Sequence, residues 1–559
     1  MILDRELETP STSSGPLASS PKNSRRSNTF VNAAVFLLLL AVALVLQVAS
    51  GAYHSEFNGY PDESAHYVTS LMVHQYITAP RPGAPVPFAQ DYYAHYPKVA
   101  FGHWPPLLYI LQALWMTLFS SARASVLVQL AFTSAILAYT VYAEARRWFR
   151  NVFHNVQPSF EMATGVLAGL LTVCVPLIQT YTAEEMSETL LTLLCFWSAI
   201  YFARYLDSGR WQDNCRFGIF AALAILTKGS GWLLVLLPPL TLLLTRRLRL
   251  LLRPSFWIPA VIVAVPCIPW QLMTMHLVQE GWEGGSRPSI QYTLGALSQF
   301  LPILVSIVGP ALFVLAAFGI FQNVLLPMWK RPVASGPAAM FALIVADWVF
   351  HSLVPAGVED RKLIIAVPAL VLFVVAGVLW LADRLPAPVP LQRWRAAFIA
   401  LVAGLFFCAQ TFAIPHEKHY GYIEAAHYIA SHPALRNATV LVSSDSGGEG
   451  PFIAEVALCE PHPAGVILRA TKVLAEVSFD ADVYRGLFPD SASVLKYLYQ
   501  RHVDAVVLDT FPQSLHFPHN RFLWQIVRQS GPFRLIAAFP DGSSPASGQV
   551  QLYRLKYPN

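Results

Sequence analysis

Charge is scarce in this sequence: only 13% of its 559 residues are Asp, Glu, Lys or Arg, against 55% hydrophobic, a balance that excludes an ordinary soluble domain. Cysteine is sparse too, and no CxxC pair occurs. Cys174, Cys195, Cys267 and Cys408 fall in apolar runs, Cys215 in a basic loop and Cys459 in the C-terminal region, so neither a disulfide framework nor a zinc site follows. The formal excess of +5 is divided among short clusters and forms no basic groove, which argues against a nucleic-acid partner. Walker and dinucleotide glycine patterns are missing, as are internal repeats.

Long apolar runs are what the sequence does have. A helix needs roughly 17–25 residues to cross about 30 Å of hydrocarbon, and runs of that kind occupy 30–48, 125–145, 163–180, 189–205, 256–275, 300–321, 338–354, 363–381 and 396–413. The stretch 217–245 is longer than one span and is broken by Lys228, Gly229, Ser230 and Gly231, so it reads as a helical hairpin. The expected architecture is therefore mainly α, a polytopic membrane domain of about eleven transmembrane helices. Residues 1–29, rich in Ser and Pro, read as a disordered cytoplasmic tail; a cleaved signal peptide is the less economical reading, because 30–48 is long enough to span.

Short cytoplasmic loops collect Lys and Arg. With the N-terminus inside, the clusters Arg146/Arg147/Arg150, Arg204/Arg210/Arg216, Arg246/Arg247/Arg249/Arg253, Lys330/Arg331 and Arg384/Arg393/Arg395 all fall on the cytoplasmic side. That agreement requires the short run 105–120, which opens on Pro105 and Pro106, to lie along the membrane as an interfacial or re-entrant helix. The first extracytoplasmic loop is then 51–124, the membrane domain 30–414, and 415–559 a small extracytoplasmic α/β domain with alternating strand-like and helix-like segments. The expected location is the plasma (inner) membrane, as a multi-pass protein.

Chemistry concentrates in the outer loops. Tyr60-Pro61-Asp62-Glu63-Ser64-Ala65-His66 precedes an amphipathic stretch; Asp62 either caps that helix or offers a carboxylate that takes a proton from a hydroxyl, with Glu63 as its support or as a metal ligand. The same side holds Gly102-His103-Trp104-Pro105-Pro106-Leu107-Leu108-Tyr109, the acidic run Glu184-Glu185-Met186-Ser187-Glu188, and Leu226-Thr227-Lys228-Gly229. In this order and spacing, over about 30–381, the chain resembles the GT-C glycosyltransferases. The likeness is to the bacterial branch with the aminoarabinose transferase and the RgtA/B/C/D-like enzymes, and more distantly to protein O-mannosyltransferases.

The resemblance implies a polyprenyl-phosphate sugar donor, inversion at the anomeric carbon, and hexosyl or pentosyl transfer to an extracytoplasmic lipid, glycan or protein acceptor. It implies Asp62 as catalytic carboxylate, a second acidic site at Glu184 or Glu185, and Lys228 at the donor phosphate. A leaving phosphate gains negative charge, so fixed cations should meet it; Lys228 either does so or snorkels to headgroups. Arg361 and Lys362, at an outer membrane edge, either bind phosphate or pair with Glu359 and Asp360. Trp104 stands where the aminoarabinose branch has a basic residue, which leaves Lys98 or His103 as substitutes or as plain interfacial residues. A divalent metal is a candidate cofactor, with His66, His95, His103, Asp62, Glu63 and Asp91 as ligands to be considered. Ser443 to Gly450 reads as a tight turn sooner than an anion site. The competing functions are a transporter or flippase of a lipid-linked saccharide and a noncatalytic membrane scaffold.

Overall fold

Apolar helices of membrane-crossing length dominate the computed structural model, which describes residues 21–57, 60–152, 158–280, 288–384, 419–460, 462–477, 484–529, 531–542 and 548–557. α1 (Pro21–Ala49) leads to the first loop, where α2 (Glu63–Thr78), α3 (Pro85–His95) and α4 (Leu107–Leu118) precede α5 (Arg123–Val152). α6 (Pro158–Cys174) and α7 (Pro176–Ala183) meet at 59°, a bend that follows from the N–H missing at Pro176. α8 (Glu188–Ser208) and α9 (Trp211–Thr227) join through Gly209, whose φ of +66° is the left-handed helix stop that glycine adopts without strain. A 3-10 turn, Gly229–Val235, separates α9 from α10 (Leu237–Thr245). Then come α11 (Ile258–Glu280), α12 (Ile290–Val308), α13 (Pro310–Ile320), α14 (Leu326–Lys330) and α15 (Ser335–Leu353), and a second 3-10 turn, Asp360–Ala366, opens α16 (Val367–Arg384).

Among the described residues eight helices are long and apolar enough to cross a membrane, or nine with the bent α6–α7 pair as one span. The stretch 217–245, expected as a hairpin, breaks at Lys228 as anticipated, with α9 before it and a 3-10 turn and α10 after it. The run 396–413 and the tail 1–20 lie outside the described residues. At 12 residues, α4 is about 18 Å long at 1.5 Å per residue, short of the roughly 30 Å a crossing needs.

One expected span needs correction. The run 300–321 is two helices, because Gly309 takes φ +79° and Pro310 has no N–H to continue α12. Trp348 Nε1, near the end of α15, donates to Leu297 O at 3.2 Å, while Arg246 Nη2 donates to Met328 O and Val333 N to Leu244 O on the opposite face. Ile290–Val308 and Pro310–Lys330 are each long and apolar enough to cross a membrane. Close packing of α13 on α16 depends on Gly319 and Gly377: a Cβ at either would stand 2.0 Å or 1.9 Å from a carbonyl oxygen of the facing helix.

The C-terminal α/β domain has a five-stranded sheet in the order β2-β1-β5-β7-β6, from β1 (Thr439–Ser443), β2 (Val466–Arg469), β5 (Ala505–Asp509), β6 (Phe533–Pro540) and β7 (Gln549–Leu555). β1 is parallel to β2 and β5; β7 is antiparallel to β5 and β6. β3 (Ala475–Val477) and β4 (Tyr484–Gly486) form a separate ribbon. This domain shares a core with the first loop, in which Phe57, Tyr67, Leu71 and Tyr96 pack with Ile429, Phe452 and Val507. Glu56 fixes the join: its buried carboxylate accepts from the backbone N–H groups of Tyr420, Gly421, Tyr422 and Ile423 at the start of the helix Tyr422–Ser431.

Candidate functional site

Asp62 occupies the N-cap position of α2 but makes no capping bond with its side chain. Its Oδ2 accepts instead from Arg361 Nη1 at 3.0 Å. Arg361 lies over the Tyr60 ring, 4.0 Å from its centre, and bonds Glu359 through Nε. Tyr60 donates its hydroxyl to the same Glu359 oxygen at 3.2 Å. Arg361 Nη1 is also 3.9 Å from Glu188 Oε1, which accepts from Lys228 Nζ at 2.5 Å. Four charged side chains, Asp62, Arg361, Glu188 and Lys228, therefore form one chain of ion pairs, none of them more than 15% exposed.

Local structure accounts for their placement. Glu188 sits in the first turn of α8, where a negative charge meets the unsatisfied amides, and Lys228 just past the last residue of α9, where a positive charge meets unsatisfied carbonyls. Arg361 lies in the 3-10 turn before α16. A buried polar chain ties the two cation-bearing elements together. Asp347 on α15 accepts from the Ala366 N–H at 3.0 Å and lies 3.0 Å from His351 Nδ1, while His351 Nε2 is 3.1 Å from Ser230 Oγ, two residues beyond Lys228.

Other expected residues lie beside this network. Glu63 is fully buried and pairs with Arg123 Nη2 at 2.7 Å, while Arg123 Nη1 donates to the Ala52 and Ser55 carbonyls. Glu185 donates its own N–H to Glu63 at 3.2 Å, and burial, followed by the Glu63 charge, pushes its carboxyl well above the usual range. Glu184 is buried in the same turn. The acidic residue that joins Lys228 and Arg361 is thus Glu188, further along the same run. Its helix-start position was the available signal, since Ser187-Glu188 opens an apolar helix.

Two lysines have no carboxylate within pairing distance among the described residues. Lys362 follows Arg361. Lys98 lies where the first loop meets the C-terminal domain, its chain against Gly450, and burial, then the neighbouring Arg469, lowers its pKa to about 7. His66 is buried against Trp104, its Nδ1 3.2 Å from the Tyr109 hydroxyl, and burial lowers its pKa to about 4, so it is neutral at physiological pH. His103 stands next to Trp104, their ring centres 6.4 Å apart.

The six residues considered as metal ligands do not converge. His95 Nδ1 lies 2.6 Å from Gly465 O in the C-terminal domain, Glu63 is held by Arg123, and Asp91 is exposed. Among the described residues only Glu56, His419 and Glu424 bring ligand atoms together, and Glu56 is engaged by four backbone amides. This donor set does not fit a metal at Asp62.

A cavity of about 510 Å³ is lined by the start of α12 and by Val358, the residue before Glu359. Its lining carries no charge.

Known proteins share this arrangement of helices and domain. Apo ArnT from Cupriavidus metallidurans superposes with a TM-score of 0.60 at 16% identity, over 94% of this chain and 98% of that one. The chain has the GT-C fold. A second structure of that fold, ArnT from the same organism bound to undecaprenyl phosphate, matches with a TM-score of 0.57 at 14% identity over 92% of this chain and 97% of its own. Within the GT-C fold, residues 103–272 match the family model of dolichyl-phosphate-mannose-protein mannosyltransferases. That segment runs from His103 through the Glu188 and Lys228 elements. No individual curated protein matches in sequence.

Proposed function

We propose that the chain is an integral-membrane glycosyltransferase of the plasma membrane that moves one sugar from a polyprenyl-phosphate donor to an extracytoplasmic lipid, glycan or protein acceptor. The observation that carries this reading is the ion-pair chain Asp62–Arg361–Glu188–Lys228. It combines a carboxylate able to take a proton with cations able to meet a leaving phosphate, at the ends of membrane helices. The family match over 103–272 and the undecaprenyl phosphate bound to ArnT support the lipid-phosphate class. Charged groups at helix ends suit a reaction at the membrane surface better than a transport path through the midplane.

In the proposed step Asp62 takes the proton of the acceptor hydroxyl. The hydroxyl oxygen forms a bond to the anomeric carbon as that carbon's bond to the phosphate oxygen breaks, and the bonding electrons stay on the phosphate. One displacement of this kind inverts the anomeric centre. Arg361 and Lys228, already held by carboxylates, supply fixed positive charge, and Lys362 and Lys98 bring the cations that no carboxylate neutralises. Glu63 acts at one remove, holding the start of α2 through Arg123.

Purified protein in lipid nanodiscs, given labelled polyprenyl-phosphate sugars and panels of glycan, lipid and peptide acceptors, tests the reading. Transfer that is lost in Asp62→Asn and Lys228→Ala supports it. Full activity in a folded Asp62→Asn protein overturns the base assignment, and donor binding without transfer to any acceptor class overturns the transferase reading.

A further inference from the structure

Gln291, Gly295 and Gln299 are spaced four residues apart on α12 and therefore share one face of the helix, and all three line the cavity next to Val358. Polar residues at this spacing are unexpected in a helix apolar enough to cross a membrane. Both glutamine side chains are exposed, and among the described residues neither amide has a hydrogen-bond partner, so both are free to meet a ligand. Gly295 leaves open floor between them: a Cβ there would meet only the Gln299 amide, 3.8 Å away.

The chemistry of the lining selects its ligand. With no charged residue among the lining side chains, an anionic or cationic group has no counter-ion there. An acyl chain would bury both amides without partners, at a cost of roughly 1–3 kcal/mol per group. A neutral polyhydroxyl compound satisfies them, because each primary amide donates and accepts and so matches hydroxyls of either polarity. The volume of about 510 Å³ lies within the roughly 300–1,000 Å³ typical of small-ligand sites. Glu359, which directly follows Val358 in the cavity wall, bonds the Arg361 that holds Asp62, so the cavity and the ion-pair chain are joined through consecutive residues.

We propose that the α12 cavity binds a neutral glycosyl group, either the sugar of the donor or a terminal sugar of the acceptor. Its place in the reaction rests on the transferase reading; the binding itself does not.

Saturation-transfer NMR on the full-length protein in nanodiscs, with a panel of neutral methyl hexosides and pentosides, tests the binding. Transfer should occur with the wild type and fall at least fivefold in Gly295→Leu, which fills the floor, and in the Gln291→Leu/Gln299→Leu double variant. Absence of transfer in the wild type, or undiminished transfer in both variants with unchanged Tm, overturns the proposal. Titration of Gly295→Leu with a polyprenyl-phosphate sugar and with bare polyprenyl phosphate then identifies the source. A tenfold weaker Kd for the glycosylated lipid alone assigns the donor sugar; an unchanged donor Kd with a tenfold higher acceptor KM assigns the acceptor. Glycoside binding that depends on Gly295, in a protein that transfers from no polyprenyl donor, would leave the cavity standing and remove the transferase reading.

Discussion

Asp62 and Arg361 stand 299 residues apart in sequence and 3.0 Å apart in space. The pair joins the first loop to the turn before α16, and the same guanidinium also reaches toward Glu188. In the proposed step Asp62 would take its proton once the acceptor hydroxyl displaces the guanidinium.

Asp62→Asn keeps the shape and the hydrogen bond from Arg361 but removes the base. General-base catalysis contributes about 10²–10⁴-fold, so kcat should fall by at least about 100-fold with donor KM changed less than threefold. Steady-state kinetics on the purified variant would show this; a large KM change with kcat intact would place Asp62 in donor binding.

Glu188→Gln leaves Lys228 buried with its ionic partner gone. Breaking a buried pair costs about 3–5 kcal/mol, and Glu188 and Lys228 side chains are only 2% and 12% exposed. A lower Tm without ligand is expected, recovered in part by saturating polyprenyl phosphate, whose charge would replace the lost carboxylate. Thermal unfolding with and without the lipid reports it.

Glu63→Gln and Arg123→Leu should act on structure first. Arg123 also holds the Ala52 and Ser55 carbonyls at 2.7 and 2.9 Å, so Arg123→Leu removes three donated bonds at once, leaves buried Glu63 without its counter-charge, and is the more destabilising. Tm should drop in the order wild type, Glu63→Gln, Arg123→Leu. The reverse order would show that Glu63 itself, sooner than its partner, organises the loop.

Lys98 would give donor binding a pH dependence whose sign follows from its lowered pKa. Burial lowers its pKa to about 7, so raising the pH from 6 to 9 removes its charge. If it meets the donor phosphate, donor KM should rise across that window. In Lys98→Arg, which stays protonated, the profile should be flat. Parallel profiles for the two proteins would take Lys98 out of the phosphate site.

His351 is placed to act through Lys228, by way of Ser230. His351→Leu should raise donor KM about tenfold, and His351→Gln, which keeps a donor and an acceptor, should recover most of it. In a Lys228→Met background the His351→Leu effect should vanish, because the group it positions is gone. Additive losses in the double variant would mean that the Asp347–His351–Ser230 chain serves stability alone.

Much of this was legible in the chain itself. Apolar runs of span length and clustered arginines specify a multispanning helical domain, because hydrocarbon tolerates few charges and leaves no backbone polar group unpaired. The ordered motifs at Asp62, His103–Tyr109 and Lys228 pointed to the GT-C fold, and the changed composition after about residue 415 to a separate α/β unit. The spacing of acidic residues did not separate Glu184 and Glu185 from Glu188, since all three lie within one turn and a half; the sequence offered only the helix start at Ser187-Glu188, and the fold decides that Glu188 meets Lys228 while Glu185 packs beside Glu63. Nor could pattern show that Gly309 and Pro310 divide one apolar run into two helices, or that Asp347 and His351 reach Ser230. The His351–Ser230 contact links residues 121 positions apart, and hydropathy records only where a segment can lie, whereas packing fixes which polar and charged side chains it brings together.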